Sequence, residues 1–460
     1  MSTNTITTEG AIWKQILRLF FPILLGTFFQ QLYNTVDSVI VGHFLGKEAL
    51  ASVGGGSALI VNLLVGFFVG ISSGATVIIS QFFGASDMHK MQRAVSAAIW
   101  LAIVGGATLM IIGFASAEVL LHLIGTPEEL IGLSKTYINW YYTGLIFMLV
   151  YNIGSGIFRA IGDTRRPLYF LIIGCISNIF FDLLFIPVLK LGVAGAAIAT
   201  VLSQGIAMYF VLQGLRKRKN LFDLSLRKLH FDPVMLKSMI YIGVPAGIQA
   251  IMYSLSNLII QSKINFFGTN TIAAYSAYGK LDSMLWMILS AFGVSITVFS
   301  GQNSGAKLYK RVYRGAWTCL GMAAVSTLIL CGVLWTTGKY LFYIFTSDPE
   351  VIAVGLDMLH FLLPYYMTYV CIEIFSGVII GTGCSVVPMI ITLGGICLAR
   401  VLWITFVFPL SPQVHTVLFS YPATWTLTSL LFLFYYKFGG WRKGFAQDTA
   451  EDIASATTSH

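Results

Sequence analysis

Asp37 and Asp182 each lie in an apolar stretch long enough to cross a bilayer, and each has polar company. Asn178 precedes Asp182 by one helical turn and shares its face, and Thr200 stands in the next apolar stretch. An ionised side chain in hydrocarbon costs at least ~2.5–3.5 kcal/mol, so each acid needs a reason to be there. Two carboxylates in one dry site cannot both stay charged, because repulsion and desolvation both favour neutralisation. A proton would relieve them. So would a hard cation held by carboxylate, amide and hydroxyl oxygens, with Na+ the candidate at Asp37, Asn178, Asp182 and Thr200. The competing reading is a pair of hydrogen-bonded acids that only ties helices together. The sequence carries no HExxH, no paired nucleophile and base, and no Walker-type glycine loop, so catalysis is not indicated.

The elements that must position these groups are membrane helices. Of 460 residues 57% are hydrophobic and only 10% charged, whereas soluble domains carry about a quarter charged residues. A chain this apolar cannot present a water-compatible surface over its whole length. The formal charge of +9 does not indicate nucleic acid, since the basic residues form short clusters between apolar stretches. All six cysteines (Cys175, Cys319, Cys331, Cys371, Cys384 and Cys397) fall in apolar stretches without CxxC pairing, which reads as packing rather than disulfides or a zinc site. The polar N-terminus runs directly into a full-length span, so no removable signal peptide is expected. The spacing predicts an all-α integral membrane protein with twelve spans, near 17–41, 50–80, 94–117, 133–155, 168–187, 193–213, 239–267, 273–300, 315–345, 354–381, 388–410 and 415–436.

Charge placement orients the spans. With both termini cytoplasmic, 21 of the 28 Lys and Arg fall on the cytoplasmic side, 4 outside and 3 within spans. The chain also resembles itself at an offset of about 222 residues: Phe44-Leu45-Gly46 recurs as Phe266-Phe267-Gly268, Gln81 with Gly84-Ala85 as Gln302 with Gly305-Ala306, and Pro127, Pro167 and Pro187 as Pro349, Pro388 and Pro409. Two six-helix bundles of like orientation follow, related by an axis along the membrane normal, and such pairs rock to give alternating access. The organisation read from this is an N-terminal lobe over 1–213, a basic cytoplasmic linker over 214–238, a C-terminal lobe over 239–436 and a polar tail over 437–460. Arg216-Lys217-Arg218-Lys219 in the linker suits an inner-leaflet anchor. In this topology Asp37 and Asp182 each stand five residues inside the outer end of a span, roughly 7–8 Å deep at 1.5 Å per residue, and Thr200 reaches a comparable depth.

The second half does not duplicate that set. Its charged groups within or beside spans are Lys263, Lys280, Asp282, Glu373 and Arg400, and the repeat places Arg400 opposite Asn178 and Glu373 opposite Asn152. Glu373 either pairs with Lys263, Lys280 or Arg400, or faces the cavity and meets a cationic substrate or a proton. Gln30, Asn34 and Asn152 are candidate cavity amides, with interhelical hydrogen bonding as the alternative. Pro22 and Pro245, near the inner starts of spans 1 and 7, are hinge candidates or simple packing kinks.

Gln31 to Asp37 with Val41-Gly42, Ser80-Gln81-Phe82-Phe83-Gly84-Ala85, Phe158-Arg159-Ala160-Ile161-Gly162-Asp163-Thr164, and Asn178 to Asp182 followed by Gly195-Ala196-Ala197 and Thr200 together resemble the multidrug and toxic compound extrusion (MATE) family of the flippase superfamily. The resemblance covers essentially the whole chain. It implies two lobes in a V, and efflux of cationic, often aromatic, compounds driven by sodium or protons. Asp37 matches the family's first-span acid, Asn178, Asp182 and Thr200 its partners in a cation site, and Pro22 a bending point of the first span. Some sodium-coupled members carry a glutamate where this chain has Tyr253, while Glu373 resembles an acid those members have in span 10. The expectation is a monomeric secondary antiporter in the cell membrane that exports cationic or amphiphilic organic compounds in exchange for Na+ or H+, without a cofactor. A flippase for a lipid-linked or specialised precursor is the alternative, although three intramembrane cations are few for a diphosphate.

Overall fold

Lipid offers backbone N–H and C=O groups no partner, so a chain that crosses it must satisfy them within helices or a closed barrel. The computed structural model describes residues 7–218, 221 and 231–442, and among them there is no strand. Lys219, the middle of the linker and most of the tail lie outside the described residues. Eleven helices are individually long and apolar enough to cross a membrane, and one bent pair makes a twelfth. In order they are α1 (Ile12–Leu45), α2 (Lys47–Gly84), α3 (Met88–Leu123), α4 (Glu128–Thr143 with Leu145–Ala160), α5 (Arg165–Val188) and α6 (Val193–Arg216). The second set is α7 (Pro233–Phe267), α8 (Thr269–Gly305), α9 (Tyr309–Phe342), α10 (Pro349–Gly381), α11 (Val386–Leu410) and α12 (Val414–Phe438).

The repeat extends to irregularities of the backbone. Helix α4 bends by 50° at Gly144, where a side chain would come within 2.7 Å of Val201 Cγ2 on α6. Its counterpart α10 is interrupted in the same place by a 3-10 turn over Leu363–Tyr365, which contains Pro364. Helices α5 and α11 both widen into π turns, over Leu184–Val188 in the first and over Leu393–Leu398 and Trp403–Val407 in the second.

The described chain packs as two units, Phe21–Gly247 and Thr7–Phe20 with Ile248 onward. The repeat alone draws the division at 214–238, whereas packing draws it inside α1 and α7. In the first unit, Gly70 and Gly74 of α2 meet the backbone of α7: a Cβ on Gly70 would lie 2.2 Å from Gly247 N, and one on Gly74 2.3 Å from Met239 O. Lipid provides no hydrophobic drive between helices, so such small-residue contact is what lets the first turns of α7 pack there. In the second unit, Arg311 donates to the carbonyls of Thr7, Glu9 and Gly10, and Thr7 donates to Gln302 Oε1 through both N–H (2.9 Å) and hydroxyl (2.8 Å). Each unit thus holds the start of the helix that continues into the other half of the sequence.

The entry to α7 is held in a comparable way. Asp232 caps the helix by accepting from Val234 N and Met235 N at 3.2 Å, and pairs with Arg93 at 2.6 Å. Burial favours the neutral carboxyl, but the Met235 N–H, the Arg93 guanidinium and the Val234 N–H together hold it below the usual range. A carboxylate stabilised in the folded state contributes above its unfolded pKa, and that contribution is lost as pH falls through the folded value. Asp232→Ala is therefore expected to cost about 1 kcal/mol, a typical cap. Read as a lower thermal midpoint in detergent, the difference from wild type is expected at neutral pH and to close in acid. Arg218, the described end of the basic linker cluster, pairs with Asp163 at 2.6 Å, which ties that cluster to the α4–α5 turn.

Candidate cation-binding site

Helix α5 brings two polar groups of the first unit to one face. Asn178 and Asp182 are four residues apart and both buried, at 1% and 0% exposure. Directly beyond Asp182 the helix passes into the π turn Leu184–Val188, which contains Pro187. Proline supplies no N–H and crowds the preceding turn, and such widened turns occur often at functional sites. Close contacts on both sides set α5 between its neighbours. Gly174 lies 3.6 Å from Ser203 O of α6, counted from the Cβ it lacks, and Gly26 of α1 stands likewise 3.6 Å from Leu171 Cδ2. Cys175 donates its thiol to Phe29 O of α1 at 3.6 Å. Where the π turn meets α6, Gly195 leaves room for Phe185 and Leu191.

Helix α1 then delivers Asp37 to Asp182, close enough for the two carboxyl groups to share a proton. Among the described residues, Asp37 Oδ1, both carboxyl oxygens of Asp182 and both polar atoms of Asn178 are buried without a hydrogen-bond partner. Thr200, on α6, is buried and donates to Ala196 O at 3.1 Å, so its oxygen lone pairs remain for another ligand. As carboxylates, Asp37 and Asp182 are both acceptors and cannot satisfy one another. A proton or a small cation between them can.

The sequence reading missed the aromatic groups beside this pair. Tyr137, on the first arm of α4, is buried within electrostatic reach of both Asp37 and Asp182, and Tyr33 stands one turn before Asp37 on α1. Tyr137 belongs to a tyrosine-rich stretch, Tyr137 to Tyr142, whose amphiphilic residues within a span were the available signal.

The remaining candidates are divided between the units. Gln30 and Asn34 are exposed on α1, and Asn152 is partly buried with its amide donating to Met148 O at 2.9 Å. In the second unit Glu373 forms no ion pair with Lys263, Lys280 or Arg400. It accepts from the Tyr369 hydroxyl at 3.3 Å, and Tyr369 shares a hydrogen bond with Tyr253 at 3.1 Å. Its carboxyl also packs over Gly293, where a Cβ would lie 2.2 Å from Oε1. The expected partners are occupied otherwise: Lys263 lies over the Phe408 ring at 5.8 Å, Lys280 is exposed, and Arg400 stacks on Tyr421 at 4.4 Å. Asp282 accepts from Tyr366, from Trp286 Nε1 at 3.0 Å and from the Tyr278 hydroxyl at 3.4 Å. Asp282 and Glu373 thus have fixed donors, whereas among the described residues Asp182 has none.

Helices able to cross a membrane twelve times, in two repeated sets with acids among them, define a polytopic membrane protein, and its relatives make it a transporter rather than an enzyme. The MatE family model matches residues 22–184 and again 245–404, and the chain belongs to this family. The two matches begin at Pro22 and Pro245, as the internal repeat predicts. Two similar relatives are both from Bacillus subtilis (strain 168). The probable multidrug resistance protein YpnP is 29% identical over 84% of this chain and 86% of its own length. The probable multidrug resistance protein YoeA is 29% identical over 95% and 96%. Among solved structures, the outward-facing conformation of a multidrug resistance MATE family transporter shares the fold with a TM-score of 0.87 and 21% identity, over 98% of this chain and 99% of that one.

Proposed function

We propose that the chain is a secondary antiporter that exports small organic compounds in exchange for Na+ or H+ bound at Asp37, Asn178, Asp182 and Thr200. The observation that carries this reading is the set of four buried oxygens, Asp37 Oδ1, Asn178 Oδ1 and both carboxyl oxygens of Asp182, that have no hydrogen-bond partner among the described residues. Leaving such atoms unsatisfied is costly, so the site favours a cationic guest. With the cation bound, the two carboxylates are bridged and α1 and α5 are drawn together; with it released, they repel. A guest shifts a two-state equilibrium only through its different affinity for the two states, and the spacing of α1 and α5 supplies that difference. Pro22 and Pro245 fall within a few residues of the points where α1 and α7 change unit, which supports their reading as hinges.

The names of the relatives support organic compounds as cargo. In the same reading the protein works as a monomer in the cell membrane, with both termini cytoplasmic and cationic or amphiphilic substrates. The test is efflux of a fluorescent organic cation from vesicles containing purified protein, driven separately by a sodium gradient and by a pH gradient. Efflux that requires one of them is expected, and it names the ion. Efflux that proceeds equally without either, or only down the dye's own gradient, overturns the proposal.

A further inference from the structure

Arg400 is a guanidinium in the middle of a membrane helix with 1% of its surface exposed. Its partners are all neutral. Nη1 donates to Ser256 Oγ at 3.1 Å and to Asn257 Oδ1 at 3.0 Å, and the group stacks 4.4 Å over the Tyr421 ring. Nε is buried with no acceptor among the described residues. Among the described residues no acidic side chain reaches ion-pairing distance of it. The two acids within the membrane helices of the same unit, Asp282 and Glu373, are engaged by phenol and indole donors. Burying a cation without a counter-ion is among the costlier arrangements open to a protein, and in a membrane it marks a functional site by default.

Two further observations point to a guest. Arg400 lies in a four-residue α segment between the π turns Leu393–Leu398 and Trp403–Val407, a backbone irregularity that gathers at functional sites. Its place in the repeat is that of Asn178, so the helix that presents acceptors to a cation in the first unit presents a donor fork in the second. Tyr253, Tyr275 and Tyr421 stand within electrostatic reach of the guanidinium, are only partly buried, and hold hydroxyls that can turn toward an acceptor. Tyr275 and Tyr421 already share a hydrogen bond of 2.9 Å, and Trp425 packs against Tyr421 with ring centres 5.5 Å apart. A guanidinium fork matches the oxygens of a carboxylate or phosphate, and the surrounding rings suit an aromatic body.

We propose that Arg400, with Tyr253, Tyr275 and Tyr421, forms an anion site in the second unit that takes the carboxylate or phosphate group of an aromatic amphiphile. It goes beyond the exchange reading and is tested without any gradient. Purified wild-type protein in detergent is titrated with pyrenebutanoate, pyrenebutanol and a pyrenebutyl trimethylammonium salt, and binding is read by energy transfer from tryptophan. Pyrenebutanoate is expected to bind about tenfold or more tighter than the alcohol, the size of a charge-assisted bidentate contact. Arg400→Gln is expected to abolish that preference while leaving alcohol binding unchanged, and Arg400→Lys to retain part of it. Displacement of the probe by phosphatidylglycerol at lower concentration than by benzoate assigns the site to a lipid phosphate; the reverse order assigns it to the acid group of a free compound. Equal binding of the three probes by wild type, or an intact preference in folded Arg400→Gln, overturns the proposal. If Arg400→Gln does not fold, the wild-type comparison decides alone.

Discussion

Asp182→Asn and Asp37→Asn are each expected to abolish gradient-driven efflux from vesicles while leaving a folded protein. The asparagine keeps the volume and can accept a hydrogen bond, but it neither takes up a proton nor carries the charge that a sodium ion needs. The two variants are also expected to gain stability in buffer without sodium at neutral pH. Each removes half of a carboxylate pair three of whose oxygens, Asp37 Oδ1 and both of Asp182, are buried without a donor among the described residues, and one charge in hydrocarbon costs ~2.5–3.5 kcal/mol. A higher thermal midpoint together with lost coupling separates this reading from its competitor: acids that only tied helices together would give a lower midpoint in both variants. Intact coupling in folded Asp182→Asn would remove the site from the mechanism. Thr200→Val, which keeps shape but loses the hydroxyl, is expected to weaken coupling less, because a neutral ligand contributes less than a carboxylate.

A second large effect is expected where α2 meets the start of α7. Gly70→Val and Gly74→Leu are expected to yield little folded protein, measured as the monodisperse fraction in gel filtration from detergent. The atoms that oppose the new side chains are backbone, Gly247 N and Met239 O, at 2.2 and 2.3 Å from the first carbon added. Overpacking against side chains typically costs ~1–3 kcal/mol because they can turn aside. A backbone cannot, so α7 would have to move off α2. Gly321→Ala is the matched control: nothing lies within 4 Å of its added carbon, and replacing an interior helix glycine by alanine is expected to stabilise by up to about 1 kcal/mol. A normal yield of folded Gly70→Val would show that this contact does not hold the first unit together.

The membrane made part of this protein legible from its residues. Hydrocarbon admits only backbone whose polar groups are satisfied internally, as in a helix, so apolar length marked the twelve spans, and the offset between halves marked their pairing. Charge is so costly there that Asp37 and Asp182 stood out without any knowledge of packing, and counting residues from the ends of their spans was enough to set them level. Asn178 followed from helical spacing alone. The family resemblance rested on the same residues.

What followed from tertiary structure was everything that depends on which helices touch. Nothing in the spacing places Tyr137 beside the acid pair, because it lies on a helix a hundred residues from Asp37. Glu373 could be paired on paper with any of three cations, yet it rests against Gly293 and Tyr369, while Arg400 is left to neutral partners. The first turns of α1 and α7 each pack with the unit that their sequence half does not suggest, since glycine contacts and backbone carbonyls, not hydropathy, decide that packing. Periodicity and charge thus determined which segments enter the membrane and which polar groups must be explained there. The partners of those groups were decided by close packing between segments far apart in the chain, a short-range physics that leaves little trace in local composition.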